Sequence, residues 1–140
     1  MGLYNFQPRF VPFILDHSKT HTIRSDRVHR DNAGNIMHLF TGLRHPGARC
    51  LMRCPCVKVE RIEITEMPHI LIDGNMLTED ECNQLAWRDG FRPADKDDAF
   101  ITMMEFWSGR LPFFGHIYHW NPEIQLRPLR HSKGYGRQNP

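Results

Sequence analysis

Apolar residues along this chain change their period several times, and each change marks an element. From Pro8 to His17, Phe10, Phe13, Ile14 and His17 recur at helical spacing, and Pro12 is tolerable near a helix start. A short helix with frayed ends is expected there. Lys19 to Arg24 is β-branched enough for a strand or a structured loop leading into one, and a polar, turn-rich loop follows over residues 25–35. Ile36 to Leu43 reads as a strand ended by Gly42, with a His45-Pro46-Gly47 turn behind it. Ala48 to Glu66 is the longest β signal. Val57 and Val59 are odd-numbered and Ile62 and Ile64 even-numbered, so the inward face should switch near Glu60 through a bulge or bend. Ile70 to Ile72 is a short run closed by Asp73-Gly74.

Two helices follow. Thr78 to Asp89 opens with capping-box spacing between Thr78 and Glu81 and carries Cys82, Leu85 and Ala86 on one stripe. About Asp95 to Trp107, Phe100, Met103, Met104 and Trp107 fall at i, i+3, i+4 and i+7, and Gly109 ends the pattern. Phe113 to Trp120 returns as a strand. The order predicts a small α+β barrel-like domain of about five to six strands with two to three flanking helices, over residues 1–120. Residues 121–140 are expected to be a basic, mobile tail.

A chain of 140 residues and 40% hydrophobic content suits one domain with a real core and excludes wholesale disorder. No apolar stretch is long enough to span a membrane, and Asp16 and His17 interrupt what would be a signal-peptide core, so the cytoplasm is the expected compartment. Net charge is only +2, but it is unevenly placed. Residues 1–72 hold ten Lys/Arg against six Asp/Glu, residues 73–98 three against eight, and residues 99–140 five against two. Two basic regions therefore flank an acidic one, and a phosphate-bearing partner would favour the former. The tail's Arg127, Arg130, His131, Lys133 and Arg137 read either as an arm laid on phosphates or as a solubilising end. Cys50, Met52, Cys54 and Cys56 share one strand face and Cys82 stands apart, which favours buried thiols over a zinc site. No metal or other cofactor is expected.

Three stretches resemble one family. Lys19-Thr20-His21-Thr22-Ile23-Arg24 resembles the K-T-x-T-I-R signature that follows the first helix of ASCH domains. Leu85-Ala86-Trp87-Arg88-Asp89-Gly90-Phe91 is similar to their L-A-x-x-D-G-F element, and Phe100 to Trp107 to the next helix with its terminal Phe-Trp pair. Order and spacing agree over roughly residues 3 to 120. The resemblance implies a PUA-like fold, a small β-barrel with helices around its opening, and binding of RNA or nucleotides in a cleft beside the first helix. One small bacterial branch, similar in the K-T-x-T-I-R segment, removes the acetyl group from acetylcytidine with a Lys, a Thr and a Glu. That resemblance implies Lys19 and Thr22 for the first two and Asp89 for the acid, one methylene shorter than the family's Glu.

These residues define the expectations. An amidohydrolase on an acylated pyrimidine nucleoside would use Lys19 as base, Thr22 as nucleophile and Asp89 to orient Lys19 or to hold the exocyclic group of the base. In a regular strand, residues 19 and 22 point to opposite faces, so they converge only if Lys19 and Thr20 precede the strand. Binding of RNA or a nucleoside or nucleotide asks for less: Lys19, Thr20, Arg24 and Arg44 toward phosphates, and Trp87 as an exposed stacking face, with Phe91 and Trp107 in the core. A protein-interaction module recruited through the basic tail is a further reading. A ribonuclease ranks below these, because His21, His29, His38 and His45 are not spaced as a catalytic pair.

Overall fold

In the computed structural model, which describes residues 2–26 and 30–126, seven strands form one curled mixed sheet, with three helices against it. Strand β1 (Gly2–Phe6) leads through a turn of 3-10 helix into α1 (Val11–Leu15), and β2 (His21–Ser25) follows. Next come β3 (Ile36–Thr41), the sixteen-residue β4 (Arg49–Ile64), and the short β5 (Ile70–Ile72) and β6 (Asn75–Met76). Helices α2 (Glu79–Asp89) and α3 (Ala99–Phe106) precede the closing β7 (Phe113–Trp120). β1 pairs parallel with β3; every other pairing is antiparallel.

β4 makes the curl. Its first half pairs with β3, while its second half pairs with β7 and, at its end, β5. The register with β7 steps from Cys56–Trp120 to Lys58–His119, leaving Val57 as the extra residue, half exposed at 49%. Across that bulge the positions that face one apolar cluster pass from even to odd numbers. Met52, Cys54 and Cys56 lie in one apolar cluster with Tyr4, Met37 and Trp120, and Val59 packs against it. Ile62 and Ile64 join the other cluster, with Ile23, Leu85, Phe91, Met103 and Ile117. A bulge is present three residues before Glu60, but it does not make the expected change from Val57 and Val59 to Ile62 and Ile64. It ejects Val57, and Ile62 and Ile64 differ in parity from Val59 because they face the second cluster. β7 serves both clusters, with Tyr118 and Trp120 in one and Phe113 and Ile117 in the other.

The main elements stand where the periodicity places them: α2 and β7 to the residue, β5 fully, α3 and β4 within a few positions. Two strands were not anticipated, bringing the count to seven. β1 alternates only Tyr4 and Phe6 inward, and exposed Leu3 blurs that pattern; β6 is two residues long. The first helix is shorter than residues 8–17: its first turn is 3-10, and it ends at Leu15, just before His17 takes a left-handed φ of 69°. Residues 121–126 continue against β4, where Leu126 N donates to Arg53 O at 2.8 Å; the basic residues from Arg127 onward lie outside the described residues. Cys54, Cys56 and Cys82 are buried and Cys50 half-buried; burial raises the Cys54 thiol to about 12. No helix among the described residues is long and apolar enough to cross a membrane.

α2 is tightly specified at both ends. Thr78 and Glu81 close a complete capping box, and Gly90 ends the helix with φ 113°, its N–H reaching back to Ala86 O and Trp87 O. A Cβ at Gly90 would come within 2.6 Å of Phe10 Cδ1. Gly90→Ala therefore meets both a disfavoured φ and a ring wall. It is expected to cost about 1–3 kcal/mol of folding free energy, read from the midpoint of urea unfolding. An unshifted midpoint would show that Phe10 yields freely.

Candidate functional site

The two ends that α1 and α2 present to each other create the site. After α1, His17 takes a left-handed turn (φ 69°), Ser18 N donates to Asp16 Oδ1, and Lys19 N donates to Phe13 O at 2.9 Å. The chain thus doubles back before β2 begins at His21. Lys19 and Thr20 lie ahead of the strand, which is the condition for Lys19 and Thr22 to face the same space. Both line one cavity of about 410 Å³, bounded by the end of β1, the turn into α1, β2, the end of α2 and the end of α3.

Lys19 is 3% exposed. Its Nζ donates to Asp89 Oδ1 and to Asp89 O, both at 2.7 Å. The rings of Phe10 and Phe6 stand 5.2 and 5.8 Å from the same nitrogen. Asp89 is the last residue of α2, where a carboxylate opposes the helix dipole. Burial works against its ionisation, but the Lys19 charge and the hydrogen-bonding influence of His21 and Lys19 outweigh that and hold it well below the usual carboxylate range. Burial lowers the Lys19 ammonium, with Asp89 pulling the other way and Arg24 and Arg92 adding like-charge pressure. His21 Nε2 sits 3.1 Å from Asp89 Oδ1, close but out of line for a well-formed hydrogen bond.

Beside this pair, Arg24 Nε donates to Thr22 Oγ1 at 3.0 Å and its Nη2 to Asn5 O at 2.9 Å. Its guanidinium lies 4.9 Å from the centre of the Phe6 ring. A hydroxyl that accepts from a cation keeps its own proton to donate. The remaining wall is aromatic: Phe91 and Trp107 are core residues that also line the cavity, with Phe106 and Phe113 beside them.

Of the residues predicted from sequence, Lys19, Thr22, Arg24 and Asp89 meet here. Thr20 is half-buried beside them, its carbonyl accepting from Trp120 N. Arg44 lies on the exposed β3–β4 turn and does not line the cavity. Trp87, expected as an exposed stacking face, is half-buried against the core and does not line the cavity; its ring lies 5.0 and 5.1 Å from Arg92 and Lys96, in a separate groove of about 280 Å³. His38 contacts Arg53, His45 is exposed on its turn, and His29 lies outside the described residues. Among the described residues no group of three His, Cys, Asp or Glu side chains is placed to hold a metal ion.

Sequence reasoning passed over several contributors. Arg110, just after Gly109, lines the mouth, stacked over Phe106 and Trp107 at 4.7 and 4.8 Å. Asn5, Gln7 and Ser25 supply polar edges. Arg92 braces the site from behind, its Nε donating to Trp87 O and Nη2 to Ser18 Oγ. None of these carried a periodic or motif signal of its own.

Comparison with known proteins agrees with this architecture. The crystal structure of ASCH from Zymomonas mobilis superposes with a TM-score of 0.51 at 10% identity, covering 92% of this chain and 72% of that one. A tyrosine-to-phenylalanine mutant of the same bacterium's protein gives 0.50 at 11% identity, covering 92% and 74%. No family model and no curated protein matches the sequence. At such identity the likeness speaks for the fold: the chain has the α+β, PUA-like half-barrel of the ASCH domains, as its three motifs suggested.

The pairing of Lys19 and Asp89 predicts a marked asymmetry in stability. Lys19→Ala strands a buried carboxylate and is expected to destabilise by about 3–5 kcal/mol. The double variant Lys19→Met with Asp89→Asn removes both charges and should be clearly more stable than Lys19→Ala. Thermal melts of the three proteins decide it.

Proposed function

We propose that the cavity binds a nucleobase with its sugar-phosphate attachment, on RNA or on a free nucleotide. The observation that carries this reading is the convergence of Lys19 and Arg24 on a cavity walled by aromatic rings. Such a cavity can sandwich a planar base while cations take the anionic backbone. Its volume lies within the range of small-ligand sites, about 300–1,000 Å³. Four charged side chains line it, Lys19, Arg24, Arg110 and Asp89, and with Asp89 matched by Lys19 the surplus is positive. Asn5, Gln7 and Ser25 offer hydrogen-bonding groups for base edges or ribose hydroxyls at the rim.

Trp107 in the cavity wall provides the readout. Titrating the full chain with cytidine, cytidine monophosphate and a short single-stranded RNA should quench its fluorescence, with the phosphate-bearing ligands tighter. Arg24→Ala should weaken binding by about tenfold, a difference of ~1.4 kcal/mol, while Arg88→Ala, on the outer face of α2, should leave it unchanged. Equal effects of the two substitutions, or no quenching with any of the three ligands, would remove the nucleotide reading.

A second reading is favoured by one specific arrangement: Thr22 shares the cavity with an amine whose burial lowers its hold on a proton. In deacylation, the Thr22 hydroxyl oxygen would attack the acyl carbonyl of an acetylated cytidine and form a C–O bond. Neutral Lys19 would take the hydroxyl proton and pass it to the exocyclic nitrogen as the C–N bond breaks, and water would then release the acyl group from Thr22. Asp89 would hold Lys19 in place. Acetylcytidine incubated with the wild-type protein should then yield cytidine and acetate by chromatography, and Thr22→Val and Lys19→Arg should abolish the yield. A folded wild-type protein that leaves acetylcytidine intact would sink this reading and leave binding alone.

A further inference from the structure

One carboxylate oxygen here serves two basic side chains. Asp89 Oδ1 lies 2.7 Å from Lys19 Nζ and 3.1 Å from His21 Nε2. Lys19 faces the cavity, whereas His21 does not line it and stands behind Asp89 as the first residue of β2. Its cross-strand partner on β7 is His119, and the two ring centres lie 5.6 Å apart with their planes tilted by 46°. His119 Nε2 is in turn 2.6 Å from Glu60 Oε1 on β4, and Lys58 Nζ lies 3.3 Å from the other Glu60 oxygen. The groups facing His21 are therefore Asp89 and Lys19 on the cavity side and His119, backed by Glu60, on the other.

Packing alone does not account for this residue. His21 is 2% exposed, and its Nε2 has no well-aligned hydrogen-bond partner. An imidazole sealed in this way costs desolvation that a leucine or phenylalanine would not. That nitrogen faces the carboxylate that anchors Lys19.

We propose that His21 is a positioning residue which, acting through Asp89, sets how tightly Lys19 holds its proton. This rests on Lys19 being the working amine of the cavity. A carboxylate oxygen that also faces a second donor offers less negative charge to the first, so Lys19 is held as an ammonium less firmly than by Asp89 alone. When His21 itself takes a proton, the imidazolium competes fully for Asp89 and Lys19 gives up its proton more readily. The titrations of the two residues are thereby coupled. Burial lowers His21 from its ordinary value, with Asp89 opposing, so the neutral ring is the resting form that acts on Lys19.

The coupling is measurable on the full chain without ligand, so the result stands apart from whether nucleotides bind. The chain contains four lysines, and the Cε resonance of Lys19 can be followed by carbon-13 NMR against pH alongside the His21 ring. The wild-type Lys19 curve should show its main midpoint and a smaller step at the His21 midpoint. In His21→Phe the smaller step should vanish and the main midpoint rise by about one pH unit. In His21→Gln, whose amide can still donate to Asp89, the midpoint should return most of the way without the step. A wild-type curve lacking the step, or a His21→Phe midpoint that does not rise, overturns the proposal. Should His21→Phe fail to fold, the wild-type and His21→Gln curves decide it alone.

Discussion

A buried ammonium and a buried carboxylate are expensive to take out of water, and such a pair breaks even only when the geometry is close and every polar atom is used. Lys19 and Asp89 meet the geometric part of that demand: two donations at 2.7 Å from one nitrogen, one to the side chain and one to the main chain of the same residue. The pair joins positions 70 residues apart, the turn after α1 and the last residue of α2. The cavity is the space left over when those two ends are held together. Loosen the pair and the wall containing Thr22 and Arg24 loses its fixed relation to the aromatic wall that contains Phe91.

The pair also settles a local problem in α2. Glu79, Asp80 and Glu81 in its first turn suit the dipole, but a carboxylate at position 89 sits at the wrong end. Lys19 reverses that sign. By donating to Asp89 O as well as Oδ1 it acts as the helix's C-terminal cap and as the counter-ion of its misplaced acid. Gly90, left-handed and pressed against Phe10, turns the chain away at once so that Phe91 enters the core.

How much of this was legible in the sequence depends on the range of each signal. Capping box, apolar stripe and terminal glycine are all local, and α2 was legible to the residue. Two of the three motifs hold Lys19, Thr22, Arg24 and Asp89, and the structure brings these four to one cavity. Trp87 was misplaced for a reason the sequence already held: residues 87 and 89 are 200° apart around a helix at 3.6 residues per turn, so an Asp89 that faces the cavity turns Trp87 outward. Arg44 was proposed from charge alone, and charge carries no address. His21 and Arg92 enter through contacts far along the chain, with Asp89 and Ser18, whereas Arg110 packs on its own neighbours Phe106 and Trp107, which by themselves do not reveal the cavity they face. The parity conflict between Val59 and Ile62 suggested a bulge near Glu60, but it reflects two apolar clusters on opposite faces of β4, and the bulge itself falls earlier, at Val57.

The same geometry decides what the amine can do. Two of the three Lys19 protons are committed to Asp89, and the third has the cavity and the Phe6 and Phe10 rings before it. As an ammonium, the group is thus a single aimed donor for a carbonyl or phosphate oxygen. As a neutral amine it would keep both bonds to Asp89, because an amine still has two N–H groups, and its lone pair would stand where the third proton was. Binding and base chemistry would then use the same nitrogen in the same direction, separated by one proton. The balance between them would depend on how firmly that proton is held, and the groups placed to set it are Asp89, the burial of the site and the imidazole behind it.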